Sequence, residues 1–110
     1  MRIIGHGIDL VPVSRIAEML AEHGERFLER CFSPAEQAYM ASSPKHREHL
    51  AARFAAKEAA MKALGTGLAD GVSWLDFEVS NNPAGKPALR VAGRAAAIAA
   101  ERGISRWWIS

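Results

Sequence analysis

Four charged residues on one predicted helix have the types and spacing to do chemistry: Arg53, Lys57, Glu58 and Lys62, followed at once by Gly65-Thr66-Gly67. Glu58 can serve as an oxygen ligand for a hard cation or as a base, and the three cations can neutralise an anion. The glycines follow the helix, so they lie at the negative end of its macrodipole. That end repels phosphate, unlike a P-loop, whose glycines precede a helix. A phosphate bound there needs local cations, and Arg53, Lys57 and Lys62 supply them. A divalent ion would also help. Asp9 with Glu58 could hold Mg²⁺ if the first strand lies against this helix, since Mg²⁺ is commonly held by one or two carboxylates plus substrate phosphates. A plainer reading stands beside this one. Glu58 and Lys62, i to i+4, also make an ordinary salt-bridged helix surface, and Asp9 serves equally as a turn residue or cap.

The helix that must position these groups is well marked. Nothing from Leu50 to Leu64 is β-branched, Gly or Pro, and alanine dominates. At about 100° per residue, Leu50, Phe54, Met61 and Leu64 form an apolar stripe. Ala52, Ala56, Ala59 and Ala63 line the opposite side, so coverage on both sides is expected. Lys57 falls inside the apolar stripe and Arg53 at its edge. Ser43-Pro44 is expected to open the helix and Gly65 to cap its end.

Around it the chain reads in order as follows. Arg2 to Asp9 is a strand rich in Ile, broken by Gly5 and Gly7. Val13 to His23 is a helix ended by Gly24, and Glu25 to Phe32 a second short one. Ser33-Pro34-Ala35-Glu36 is a capping box with Pro at the first helical position, which by itself accounts for Glu36. Trp74 to Ser80 alternates as a half-buried strand, Asn81 to Pro87 is a turn-rich loop, and Ala88 to Val91 is the returning strand. Gly93 to Arg102 is an alanine-rich helix, and Arg106 to Ile109 begins another strand. Cys31 reads as a small core residue and His46 and His49 as solvated surface histidines, with no third metal ligand nearby.

Composition limits the function. A chain of 110 residues is one domain, and its small core would gain from oligomerisation. A formal charge of +2 permits an anionic partner without demanding nucleic acid. The aromatics also do not interleave with the basic residues as a stacking platform would. The one cysteine excludes an intrachain disulfide and an all-cysteine metal site, and fits a cytoplasmic location. No apolar run is long enough to span a membrane, and no signal peptide is read at the start.

The chain resembles the holo-acyl-carrier-protein synthases, the small bacterial class of 4′-phosphopantetheinyl transferase. Gly7-Ile8-Asp9-Leu10-Val11 with Arg15-Ile16 is similar to the first motif of that family, and Phe32-Ser33 with Glu36 to its second. Arg53-Phe54-Ala55-Ala56-Lys57-Glu58-Ala59-Ala60, with Lys62-Ala63 and Gly65-Thr66-Gly67, is similar to its long signature. Asn82 with Gly85-Lys86-Pro87 is similar to its middle loop. The family usually continues past the strand at Trp107 to Ser110 through a Ser-His segment and two further strands, so the resemblance implies a C-terminally shortened domain over residues 1–110.

The resemblance implies an α+β fold, an antiparallel sheet packed on a long central helix with shorter helices. It implies transfer of 4′-phosphopantetheine from coenzyme A to a serine of apo-acyl carrier protein, in fatty acid biosynthesis, with 3′,5′-ADP as leaving group. The alternative is a binding module of this fold with impaired catalysis. By the same resemblance Asp9 and Glu58 hold Mg²⁺, and Asp9, Glu58 and Lys62 are catalytic. Arg53, Lys57, Lys62, Gly65, Thr66, Gly67, Asn82, Pro83, Gly85, Lys86 and Pro87 line the coenzyme site. Arg15, Met19, Arg26, Phe27 and Leu28 dock the acidic carrier protein; core packing is the equal alternative for Met19 and Phe27. A homotrimer with sites at subunit interfaces is implied, in the cytoplasm.

Overall fold

The computed structural model describes residues 12–105 and residue 107. The expected first strand, Asp9 within it, and most of the final strand lie outside the described residues.

Three short helices come first: α1 (Val13–His23), α2 (Glu25–Cys31) and α3 (Pro34–Ala41). Gly24 separates the first two at φ 53°, a left-handed value that costs glycine little. The expected capping box opens α3. Ser33 Oγ accepts from Glu36 N at 3.2 Å, and Glu36 Oε1 accepts from Ser33 N at 3.0 Å. Caps of this kind stabilise a helix by about 1 kcal/mol.

The long helix α4 runs His46–Leu64. It starts later than Ser43-Pro44 suggests. Ser43 Oγ accepts from Lys45 N at 3.2 Å, which closes a local turn, and no side chain caps the helix itself. Its end is as expected: Gly65 adopts φ 86°, and its N–H donates to the Met61 and Lys62 carbonyls.

The second half of the chain is a hairpin and a helix. Strands β1 (Phe77–Asn81) and β2 (Pro87–Val91) pair antiparallel, from Phe77 opposite Val91 to Asn81 opposite Pro87. The strand does not begin at Trp74. Trp74–Asp76 is a 3₁₀ turn, because Ser73 Oγ accepts from Leu75 N and Asp76 Oδ2 from Ser73 N, both at 3.2 Å. The same Asp76 oxygen accepts from Ala95 N at 3.1 Å and so anchors α5 (Gly93–Glu101).

Two apolar clusters form the core. One joins α1, α2 and α3 to the first half of α4 through Ile16, Phe27, Phe32, Leu50 and Phe54. The other joins the second half of α4 to β1 and α5 through Met61, Leu64, Phe77, Ile98 and Ala99. Trp74 packs against both. The apolar stripe of α4 is thus buried as its spacing predicts. The alanine side is more open: Ala52 is exposed, and Ala56, Ala59 and Ala63 are half-buried. Among the described residues no helix is long and apolar enough to cross a membrane.

Candidate functional site

Lys57 settles into the core. It is fully enclosed, and its Nζ donates to Glu36 Oε1 and to the Cys31 carbonyl, both at 2.6 Å, and to the Trp74 carbonyl at 3.4 Å. It also lies 5.0 Å from the centre of the Phe32 ring. Glu36 Oε2 accepts from Val79 N at 3.0 Å. One buried ion pair therefore ties the end of α2, the start of α3, α4, the 3₁₀ turn and β1. Burial lowers the Lys57 pKa from its ordinary value, and the bond and charge of Glu36 oppose that. Sequence placed Lys57 among coenzyme residues; its enclosure makes it the support behind that face.

One turn earlier, Arg53 is also buried, 4% exposed. Its Nη2 donates to Asn81 Oδ1 at 2.5 Å, and its guanidinium carbon lies 4.5 Å from the centre of the Tyr39 ring. Arg53 Nε has no hydrogen-bond partner among the described residues. Burial lowers the Arg53 pKa, with Glu36 acting against it. Beside it opens a cavity of about 280 Å³ lined by His49, Arg53, Asn81, Gly85 and Pro87, with Ala52 and Ala56 as a smooth wall.

The hairpin loop completes this cavity in a stiff form. Asn82 Oδ1 accepts from Lys86 N at 2.9 Å, and Asn81 Nδ2 donates to the Gly85 carbonyl at 3.0 Å. Asn82, Pro83 and Lys86 are exposed, and only Gly85 and Pro87 of the predicted loop residues line the cavity. Sequence reasoning named Asn82, which shapes the turn. It missed Asn81 and His49, which face the space. Both sit at positions that alternation or helical spacing would turn toward Arg53: His49 is one turn before it, and Asn81 follows Val79 on one strand face.

Glu58 and Lys62 lie on the next face of α4. Lys62 is exposed, and the Glu58 side chain is 21% exposed with Oε1 3.6 Å from Arg15 Nη1. The Arg15 guanidinium also lies 5.5 Å from the centre of the Phe54 ring. So the structure brings a predicted docking cation next to the predicted catalytic carboxylate. Arg26 is exposed, and Met19 and Leu28 are half-buried against the first cluster. Phe27 is not on that surface. It is 4% exposed and packed at 5.7 Å ring separation from both Phe32 and Phe54, which makes it core.

Past α4, Thr66 Oγ1 donates to the Gly67 carbonyl at 3.1 Å, and Gly67 takes φ 58°. Arg102, at the end of α5, donates from its guanidinium to the Leu64 carbonyl. This is a further cation at the Gly-Thr-Gly turn that the sequence did not single out. Among the described residues no three His, Cys, Asp or Glu side chains form a metal-binding group. Glu58 offers one carboxylate, which suits a hard cation that takes its other ligands from phosphate oxygens and water, as Mg²⁺ does.

Comparison with known proteins shows the family and the fold. The family model of the 4′-phosphopantetheinyl transferase superfamily, ACPS, matches residues 5–109. The chain is 53% identical over 97 residues to holo-acyl-carrier-protein synthase of Koribacter versatilis, covering 88% of this chain and 78% of that one. It superposes on the crystal structure of the Neisseria meningitidis holo-acyl-carrier-protein synthase with a TM-score of 0.84 and 37% identity, over 96% of this chain and 84% of that one. The Helicobacter pylori enzyme, solved in complex with coenzyme A, matches with a TM-score of 0.75 and 30% identity, over 89% and 80% of the two chains.

Proposed function

The chain belongs to the 4′-phosphopantetheinyl transferase superfamily, and from that premise we propose that it moves 4′-phosphopantetheine from coenzyme A to a serine of apo-acyl carrier protein, for fatty acid biosynthesis. The observation that carries this is the placing of Glu58 and Lys62 on α4 directly before Gly65-Thr66-Gly67, within a fold shared with the Neisseria enzyme.

The serine oxygen forms a bond to the β-phosphorus of the coenzyme diphosphate. The bond from that phosphorus to the bridging oxygen breaks, and 3′,5′-ADP leaves. Glu58 is the residue proposed to accept the serine proton. Lys62 neutralises charge gathering on the diphosphate oxygens, which is the main demand of phosphoryl transfer. Glu58, with Asp9 by the resemblance, would hold Mg²⁺, which supplies further positive charge at those oxygens. Arg53, with Gly85 and Pro87, presents a cation and a rigid wall to the coenzyme, while Lys57 holds α4 against β1 behind them. Arg15 is exposed and lies 3.6 Å from the Glu58 carboxylate, so an acidic carrier docked on it would arrive beside Glu58. We further propose a homotrimer with interfacial sites, working in the cytoplasm.

Incubation with coenzyme A, Mg²⁺ and apo-acyl carrier protein should add one phosphopantetheine to the carrier, read by mass spectrometry. Glu58→Ala should abolish that addition with the helical circular dichroism unchanged. Coenzyme binding without transfer would instead favour the catalytically impaired module. Absence of coenzyme binding would sink the reading.

A further inference from the structure

The proposed diphosphate site has an electrostatic difficulty that its assigned residues do not fully answer. The last carbonyls of a helix are unsatisfied and carry its negative pole. Glycine N–H groups at a helix N-terminus would attract phosphate; here the glycines follow the C-terminus. Gly65 N–H is already given to the Met61 and Lys62 carbonyls. Lys62 is one cation against that pole.

Arg102 addresses it from another element. It follows α5, and its Nη1 donates to the carbonyl of Leu64, the last residue of α4. A Cβ on Gly65 would lie 2.9 Å from the same Nη1. The left-handed φ of 86° calls for glycine there, and the missing Cβ leaves the guanidinium room beside the backbone. Arginine carries five N–H donors, and the carbonyl takes one. The side chain is held on a rigid base. Ala95, Ile98 and Ala99 of α5 are buried against α4 and β1, Asp76 anchors the start of the helix, and Arg102 N donates to the Ile98 carbonyl at 3.1 Å.

The other end of α5 provides an internal contrast. Arg94 Nε donates to the Asp70 carbonyl at 3.0 Å, on the same loop. Two arginines, one in the first turn of α5 and one at its C-cap, thus bracket the segment after α4. Arg94 holds its far end; Arg102 holds the end next to Gly65-Thr66-Gly67.

We propose that Arg102 is a further substrate-binding residue: it reverses the charge at the C-terminal pole of α4 and offers its remaining donors to the diphosphate of the coenzyme. This rests on the proposed transferase function. A purely structural Arg102 would be only a cap on α4, since basic side chains often bond the last helix carbonyls.

The test uses Arg102→Gln, Arg102→Lys and, as the comparator, Arg94→Gln in the full chain. Affinities for coenzyme A and for 3′,5′-ADP are read by calorimetry, KM and kcat by carrier modification, and Tm by thermal melting. Losing a hydrogen bond to a charged group should weaken coenzyme A binding about tenfold in Arg102→Gln. Binding of 3′,5′-ADP, which keeps only one of the two diphosphate phosphorus atoms, should weaken less. Arg102→Lys should recover most of the affinity, because it keeps the charge, and Arg94→Gln should stay within about twofold of the parent. A lower Tm in Arg102→Gln with unchanged coenzyme affinity makes Arg102 only a cap and overturns the proposal. An equal loss in Arg94→Gln overturns it too, by assigning the effect to general charge. If the parent chain itself binds no coenzyme A, the transferase reading fails, and this proposal with it.

Discussion

Lys57 and Arg53 stand one turn apart on α4, both buried, both beside an aromatic ring and both turned toward β1, yet they differ in what their donors do. Lys57 has three N–H donors and three oxygen acceptors around it, one of them the Glu36 carboxylate. Arg53 gives Nη2 to Asn81, while Nε has no hydrogen-bond partner among the described residues, at the wall of a cavity. Burial alone would class the two together. Satisfaction separates them: every Lys57 donor meets an oxygen, whereas Arg53 lines the cavity and its own buried Nε meets none among the described residues.

The strongest way to break this comparison is to remove the support. Lys57→Ala should destabilise the fold by about 3–5 kcal/mol, because it strands the buried Glu36 carboxylate. Denaturant titration measures this, and a loss below about 1 kcal/mol would contradict the supporting role. The paired change Glu36→Gln with Lys57→Met should recover most of that loss, since it removes both charges while leaving Gln to accept from Val79 N.

Arg53→Ala should cost less stability, about 1–3 kcal/mol, but should weaken coenzyme A binding about tenfold. Calorimetry beside a melting curve separates the two effects. A large stability loss with unchanged binding would make Arg53 a second Lys57. Asn81→Ala should cost about 1–3 kcal/mol, because it removes the charge-assisted bond from Arg53 Nη2 as well as the bond to the Gly85 carbonyl. Coenzyme affinity should hold or improve slightly as Arg53 Nη2 is released.

The smallest effect lies behind the sealed pair. Burial pushes the Cys31 thiol up to about 11 from 9.0, with Lys57 and Arg30 pulling it down. The native chain therefore holds a proton that the unfolded chain releases between those values. Stability through Cys31 should fall as pH rises across that window. Lys57 works in the opposite sense: its lowered pKa means the unfolded chain binds more protons below 10.5, so its contribution rises with pH. Comparing the melting temperature of the parent and Cys31→Ala from pH 8 to 11 isolates the falling component, and a parallel pair of curves would refute it.

Much of this was readable from local sequence. The capping box at Ser33, the span of α1 and the glycine end of α4 follow from side-chain chemistry within a few residues, so they came out as expected. The transferase resemblance also pointed to Glu58 and Lys62, and the structure puts both on α4. What stayed hidden is long-range. A capping box is a sufficient reason for Glu36, and nothing nearby reveals that its second oxygen meets Val79 N, 43 residues on. Lys57 stood out within an apolar stripe, but a buried partner and a bound anion explain such a lysine equally well. Trp74 to Asp76 alternates like a strand, and the preference of Ser73 and Asp76 for a cap overrode the pattern. Asn81 and Asn82 are the same residue type side by side, so composition cannot tell which one faces Arg53; the register of the hairpin decides.

Trp74 stacks on Phe54 at 4.6 Å ring separation and also packs against the cluster of Phe77 and Ile98. An indole shared by both clusters joins their fates. Neither half can open without exposing it, so hydrogen exchange in α1 and in α5 should report one common opening event rather than two. A ligand bound beside the hairpin would then slow exchange at the far end of the molecule, in helices it never touches.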